Sequence, residues 1–192
     1  MAVQSTPPAT QTDHVQTSLP DGKEGRVTAS PDPFQDVFRD IMSRFAASVT
    51  VVTSFAGDRH HGLTVSAFTS VSLDPPLILI CIDHTSHSVA ALRVAGGFTV
   101  NMLQEGTGEV ARKFASKDPD KFTGLASTRP EYRGAGLVLS SESYASLECR
   151  TVKSVEAGDH TVFIGHVENA HSHRPAKPLL YWQRDFHRLM PD

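Results

Sequence analysis

Between Asp32 and Phe45 the apolar side chains Phe34, Val37, Phe38, Ile41, Met42 and Phe45 recur every three or four residues, the spacing that lines one face of an α-helix. Asp32 suits the N-cap and Pro33 the first helical position. The stripe predicts a helix that packs its aromatic face on the core. After it the period changes. Residues 48–55, SVTVVTSF, are rich in β-branched side chains and predict a strand. AGDRHHG reads as a turn, so residues 62–71 become the second strand of a hairpin. Asp74-Pro75-Pro76 ends that region, and residues 77–82 form a short, unbroken apolar strand. Residues 88–94 predict a short helix, 98–103 a strand, and 108–116 a helix with Val110, Ala111 and Phe114 on one side. Residues 118–136 read as a long loop or partly helical excursion, a length often tied to function. Two long strands, 144–155 and 160–171, are joined by Glu156-Ala157-Gly158-Asp159, and residues 178–182 give a last short strand. Strands dominate, helices are few, and no βαβ alternation or internal repeat occurs. The expectation is a mainly β fold, a closed or split antiparallel barrel with a few flanking helices.

Composition narrows the function classes. Residues 1–32 are rich in Pro, Thr, Gln, Ser and Gly and poor in large apolar side chains, so they predict a disordered tail ahead of one domain over residues 33–192. The net charge of −3 supplies no basic field for a nucleic acid and no polybasic patch for a membrane. The apolar run over residues 77–82 is far shorter than the roughly 20 residues that span a bilayer. The polar N-terminus has no apolar signal core, and Cys81 and Cys149 form neither a disulfide framework nor a CxxC pair. These features fit a cytoplasmic protein with two buried thiols.

The chain holds no GxGxxG, GxxxxGK[ST] or GxSxG motif, so Rossmann, P-loop and hydrolase readings lack local support. Three segments could carry chemistry. GLTVSAFTSVSLDPP, residues 62–76, sets Thr64, Ser66, Thr69, Ser70 and Ser72 along one strand and turn; small hydroxyls and nearby backbone N–H groups suit an oxygen-rich ring and a phosphate. A solvated Ser/Thr strand face would read the same way. In DHTSHS, Ser86 or Ser88 could cap the helix that follows and turn its N-terminus toward a phosphate, or cap it with no ligand at all. In GDH, His160 at a strand entrance could contact a nicotinamide or manage a proton, or simply face solvent. As a rival, His166, His171 and His173 could form a metal site, His171 and His173 sharing one strand face with Glu168 nearby.

Taken in order, FRDIMSRFAASVTVVT, GLTVSAFTSVSLDPPLILICI, FTVNML, ARKFA, GDHTVFIGHV and PLLYWQRDFHRL resemble the flavin reductase family, the reductase components of two-component flavin monooxygenases. The likeness runs from about Phe34 to Leu189. It implies a split antiparallel β-barrel of the Greek-key, FMN-binding type, FAD or FMN as flavin, and NADH or NADPH as reductant. It implies that Thr64, Val65, Ser66, Phe68, Thr69, Ser70, Val71 and Ser72 line the flavin ring and ribityl chain. Asp83, Ser86 and Ser88 would approach the phosphate, and Asn101, Met102 and Gln104 would border the flavin. Phe114 would shape the pocket wall, and Tyr181 would pack near the ring from this chain or from a partner subunit. His160, Arg184 and Phe186 would face the nicotinamide. Where family members often carry Gly, this chain has Ser48, whose side chain narrows the nicotinamide approach. The resemblance further implies a homodimer and a flavin-dependent monooxygenase that receives reduced flavin. Hydride would pass directly from the nicotinamide to the flavin, with no side-chain nucleophile. Two other readings share the barrel. One is a flavin-binding module without reductase activity. The other is an oxidase like the pyridoxine-phosphate oxidases, with tightly held flavin and a phosphate-binding Arg/Lys set. Residues 62–88 contain no Lys or Arg, which weighs against the second.

Overall fold

The computed structural model describes residues 32–190. The expected tail, residues 1–32, therefore lies outside the described residues except for Asp32. That residue caps α1 (Pro33–Ser43), its carboxylate accepting the Phe34 N–H at 3.0 Å. A short β1 (Ala47–Ser48) precedes β2 (Thr50–Ala56) and β3 (Arg59–Val65), which turn at Gly57-Asp58 with Gly57 at φ 60°. Next come β4 (Phe68–Leu73), β5 (Pro76–Asp83), α2 (Ser88–Ala95), β6 (Gly97–Leu103) and α3 (Gly108–Ala115). After the excursion follow β7 (Ser143–Ala157), β8 (His160–Ser172), β9 (Leu180–Trp182) and β10 (Asp185–His187).

Seven strands pair antiparallel in the order β3-β2-β6-β7-β8-β5-β4, and a small sheet runs β1-β9-β10. The first and last strands of the larger sheet, β3 and β4, are consecutive in the chain. Only Ser66 and Ala67 join them, a link that spans at most about 10 Å. The sheet must therefore curl until its two edges approach, which makes it a split β-barrel. The seam falls at Ser66-Ala67, where the Cys81 N–H donates to the Ala67 carbonyl at 3.0 Å.

β2 shows why the strands read as apolar runs rather than alternating ones. Val52 belongs to a core with Ile78, Ile80, Phe98, Val100, Phe163 and the α2 residues Val89 and Leu92. Its neighbour Val51 points to the opposite face and packs with Leu103, Phe114, Leu139 and Leu179. Both faces of the sheet are covered, and each such side chain contributes about 1.5–3 kcal/mol by leaving water.

Four expectations change. The α1 stripe does not pack on the core: Phe34 and Phe45 are 72% and 71% exposed, and Val37, Phe38, Ile41 and Met42 lie open as well. The strand expected over residues 62–71 breaks at the seam into β3 and β4. The last strand gains a partner, β10, because Gln183 and Arg184 turn the chain at φ 49° and 66°. Cys149 is buried as expected, whereas Cys81 is only half-buried.

Candidate functional site

The seam opens into a cleft of about 660 Å³, within the roughly 300–1,000 Å³ usual for small-molecule sites. Its walls are residues 59–67 of β3 and the link, the end of β5 with the turn into α2, residues 114–119 with Lys121 and Phe122, and His160 at the start of β8. Of the residues singled out above, the cleft gathers Thr64, Val65, Ser66, Asp83, Ser86, Ser88, Phe114 and His160.

Each is held by local structure. The β5–β8 register sets Asp83 opposite His160, and the His84 N–H donates to the Asp159 carbonyl at 2.9 Å. His160 Nδ1 lies 2.7 Å from the Asp159 carboxylate, which the imidazole holds below the usual carboxylate range. The Thr85 N–H, 2.6 Å from the Asp83 carboxylate, lowers that group in the same way. Ser86 accepts the Ser88 N–H at 3.3 Å, while the residue at the α2 N-cap is His87, whose side chain makes no capping bond. The Thr64 hydroxyl is committed, donating to the Ala111 carbonyl of α3 at 2.6 Å. Gly62 explains the depth of the cleft: a Cβ there would sit 2.4 Å from the Phe114 ring, so Phe114 forms the wall directly against β3.

The seam itself holds the donors. Ser66 and Ala67 are exposed, lie between strands, and donate their backbone N–H groups to no acceptor among the described residues. Two adjacent free N–H groups fit the edge of a flavin, which presents N1, O2, O4 and N5 to donors.

Other predicted residues lie elsewhere. In β4, Phe68 packs on the core, Thr69, Ser70 and Val71 face solvent, and Ser72 is half-buried beyond a register shift. Asn101 is fully buried with its capacity taken. Its amide donates to the Val51 and Leu137 carbonyls, and its oxygen accepts from the Leu139 N–H and the Ser146 hydroxyl. Met102 is half-buried in β6 opposite Thr50 and Ala145, and Gln104 donates to the Ser141 carbonyl at 3.1 Å. Ser48, Tyr181, Arg184 and Phe186 belong to the small sheet and its turn. There Tyr181 and Phe186 pack with ring centres 5.7 Å apart, and Arg112 lies over Phe186.

The structure also adds residues that the sequence reading missed. Lys121 reaches the cleft from the excursion, its Nζ donating to the Gly62 carbonyl at 3.1 Å and the Phe114 carbonyl at 2.9 Å. Burial pulls its pKa down. Arg59 and Lys117 line the cleft as well. Absence of Lys and Arg from residues 62–88 therefore does not make the cleft free of cations. No local pattern marks a lysine in a loop as a cleft residue; its role comes from carbonyls distant in the chain. The three histidines divide: His171 bonds Glu148, His173 bonds Ser146, and His166 bonds Glu168. Among the described residues, no group of three or more His, Cys, Asp or Glu side chains is placed to hold a metal ion.

Residues 42–190 match the model of the flavin reductase like domain. The chain belongs to this flavin reductase family. It is 37% identical over 172 residues to an NADH:riboflavin 5′-phosphate oxidoreductase of Streptomyces pristinaespiralis, covering 86% of this chain and 97% of that protein. It is 34% identical over 169 residues to the reductase subunit of a flavin-dependent monooxygenase of Mycobacterium tuberculosis, covering 86% and 87%. Among solved structures, it resembles an NADH:FAD oxidoreductase of Streptomyces globisporus, seen with NAD and FAD fragments. The TM-score is 0.77 and the identity 34%, with 86% of this chain and 99% of that one covered. The split barrel is thus the architecture of flavin reductases.

Proposed function

We propose that the seam cleft holds a flavin and that the chain passes a hydride to it from a nicotinamide, releasing reduced flavin to a separate monooxygenase. As a member of the flavin reductase family, the chain is an NAD(P)H:flavin oxidoreductase that works with FAD or FMN and with NADH or NADPH. The observation that carries the finer reading is the pair of free N–H groups at Ser66 and Ala67, in a cleft with His160 at its edge. When bound, the flavin supplies the redox chemistry. The protein's part is to hold and orient. Ser66 and Ala67 donate toward the side of the ring where negative charge grows. Asp159 fixes the imidazole of His160 through Nδ1, which leaves Nε2 for the nicotinamide side.

The pyridine-nucleotide pool and two unpaired thiols fit work in the cytoplasm. We take residues 33–192 as one functional unit, which contains the matched span 42–190. We also infer a homodimer. The residues implied for the nicotinamide divide in one chain between the cleft (His160) and the small sheet (Ser48, Arg184, Phe186). A second copy is the simplest way to unite them, and the open α1 face supplies apolar surface for it.

The deciding experiment is an oxidation assay that crosses NADH and NADPH with FMN, FAD and riboflavin, read with stopped-flow release of the reduced flavin. Turnover with free flavin and rapid release are expected. Flavin that stays bound through many turnovers points instead to an oxidase, and no nicotinamide oxidation points to a binding module. His160→Ala should lower kcat/KM for the nicotinamide by about tenfold or more, about 1.4 kcal/mol, while flavin affinity holds. An unchanged rate removes His160 from the site.

A further inference from the structure

We propose that Glu156 is a positioning residue: bonded to Arg93 and His84, it fixes the β7–β8 hairpin so that His160 keeps its place at the cleft. This rests on the reading of His160 as the group on the nicotinamide side. Glu156, Arg93 and His84 do not line the cleft. They line a neighbouring depression that shares Thr85, Ser86 and His87 with it, so Glu156 acts through His160 rather than on a ligand.

The hairpin that carries His160 stands clear of the core. Residues 152–159 are all exposed, so the end of β7 and the turn gain no anchor from burial. On the β8 side, Asp83 of β5 pairs with His160, and the His84 N–H donates to the Asp159 carbonyl at 2.9 Å. On the β7 side the anchor is Glu156. It faces Thr161 in the β7–β8 register, one pair before Ala157 faces His160.

The Glu156 carboxylate uses both oxygens. Oε1 accepts from the Arg93 guanidinium, and Oε2 lies 2.8 Å from His84 Nε2. Arg93 stands on α2, whose Val89 and Leu92 belong to the core, so the helix end of this tie is anchored. Thr161 joins the cluster. It is fully buried, Arg93 donates to its hydroxyl at 3.0 Å, and His84 Nε2 lies 3.1 Å from the same oxygen. The Glu156 oxygens are 3.4 Å from it. Among the described residues, every side-chain partner of the Thr161 hydroxyl thus belongs to this cluster. Side chains from α2, the turn before it, β7 and β8 meet at one carboxylate. An exposed ion pair adds little to global stability. The effect of this one is local: it ties an otherwise uncovered hairpin to a helix packed on the core, four residues before His160.

The test is a double-mutant cycle. Glu156→Ala and Arg93→Met are each made in the full chain, alone and together with His160→Ala, and kcat/KM for NADH and the Kd for FMN are measured. Each single variant should lose kcat/KM by roughly threefold or more, because a small misplacement of a positioned group is costly, while the Kd for FMN holds. In the His160→Ala background the same changes should cost nothing more, because the group that they place is gone. Both side chains are exposed, so circular dichroism should be unchanged. A full rate in either single variant overturns the proposal. So does a loss that persists in the His160→Ala background, or a loss of FMN affinity alongside the rate, since either is a structural effect that does not run through His160. If His160→Ala alone leaves the rate unchanged, the reading of His160 itself fails, and Glu156 has no reacting group to place.

Discussion

Glu148 shows how one buried charge organises this molecule. It is fully buried in β7 and accepts the backbone N–H groups of Glu131 and Tyr132 at 3.1 and 2.6 Å. Asn169 and His171 complete its shell. Burial pushes the carboxyl up, but these donors outweigh it and hold the group below its ordinary 4.5. The folded value lies below the unfolded one, so the stabilisation is full above about pH 4.5 and is lost as the pH falls through the folded value. Urea unfolding between pH 6 and pH 3 should show the loss, and Glu148→Gln should lack that share of the slope; equal slopes in both proteins would refute the assignment. Glu148→Ala leaves two backbone donors without an acceptor and should cost roughly 3 kcal/mol. Neither Glu148 nor the buried role of Asn101 was legible in the sequence. Both bond to segments 16 to 50 residues away, and no spacing along the chain encodes such a partner.

Elements were more legible than their surroundings. The period of α1 is plain in the sequence, but the same stripe suits a core or an interface, and only the folded chain shows it uncovered. The break between β3 and β4 was hidden because neither Gly nor Pro marks Ser66-Ala67. The β9–β10 turn was hidden because Gln183 and Arg184 adopt positive φ without a glycine. The open α1 face makes an element-scale prediction. Phe38→Asp with Ile41→Glu removes apolar surface that makes no core contact, so the barrel should fold with unchanged circular dichroism. Sedimentation should then show monomer where the unaltered chain sediments as dimer. An unaltered chain that is already monomeric refutes the inferred homodimer, and a variant that stays dimeric places the interface elsewhere.

At the scale of the whole molecule, the barrel legible in the strand pattern carries its proposed flavin site at the place where it fails to close. The cleft walls come from β3, the end of β5, the segment after α3 and the start of β8, so a ligand in the seam ties together parts that the chain separates. Gly62 at the Phe114 wall and the Lys121 bonds to the Gly62 and Phe114 carbonyls hold two of those walls to each other. Ligand binding to the folded state alone adds stability by mass action, about 2.7 kcal/mol at a hundredfold excess over Kd. FMN at that excess should raise the unfolding free energy by about this amount. Hydrogen exchange should slow in residues 62–67, 83–88 and 114–122, the segments that line the cleft, and not in residues 68–73, whose β4 side chains turn to solvent or core. Protection confined to the β9–β10 hairpin would put the flavin on the small sheet and empty the seam of its role.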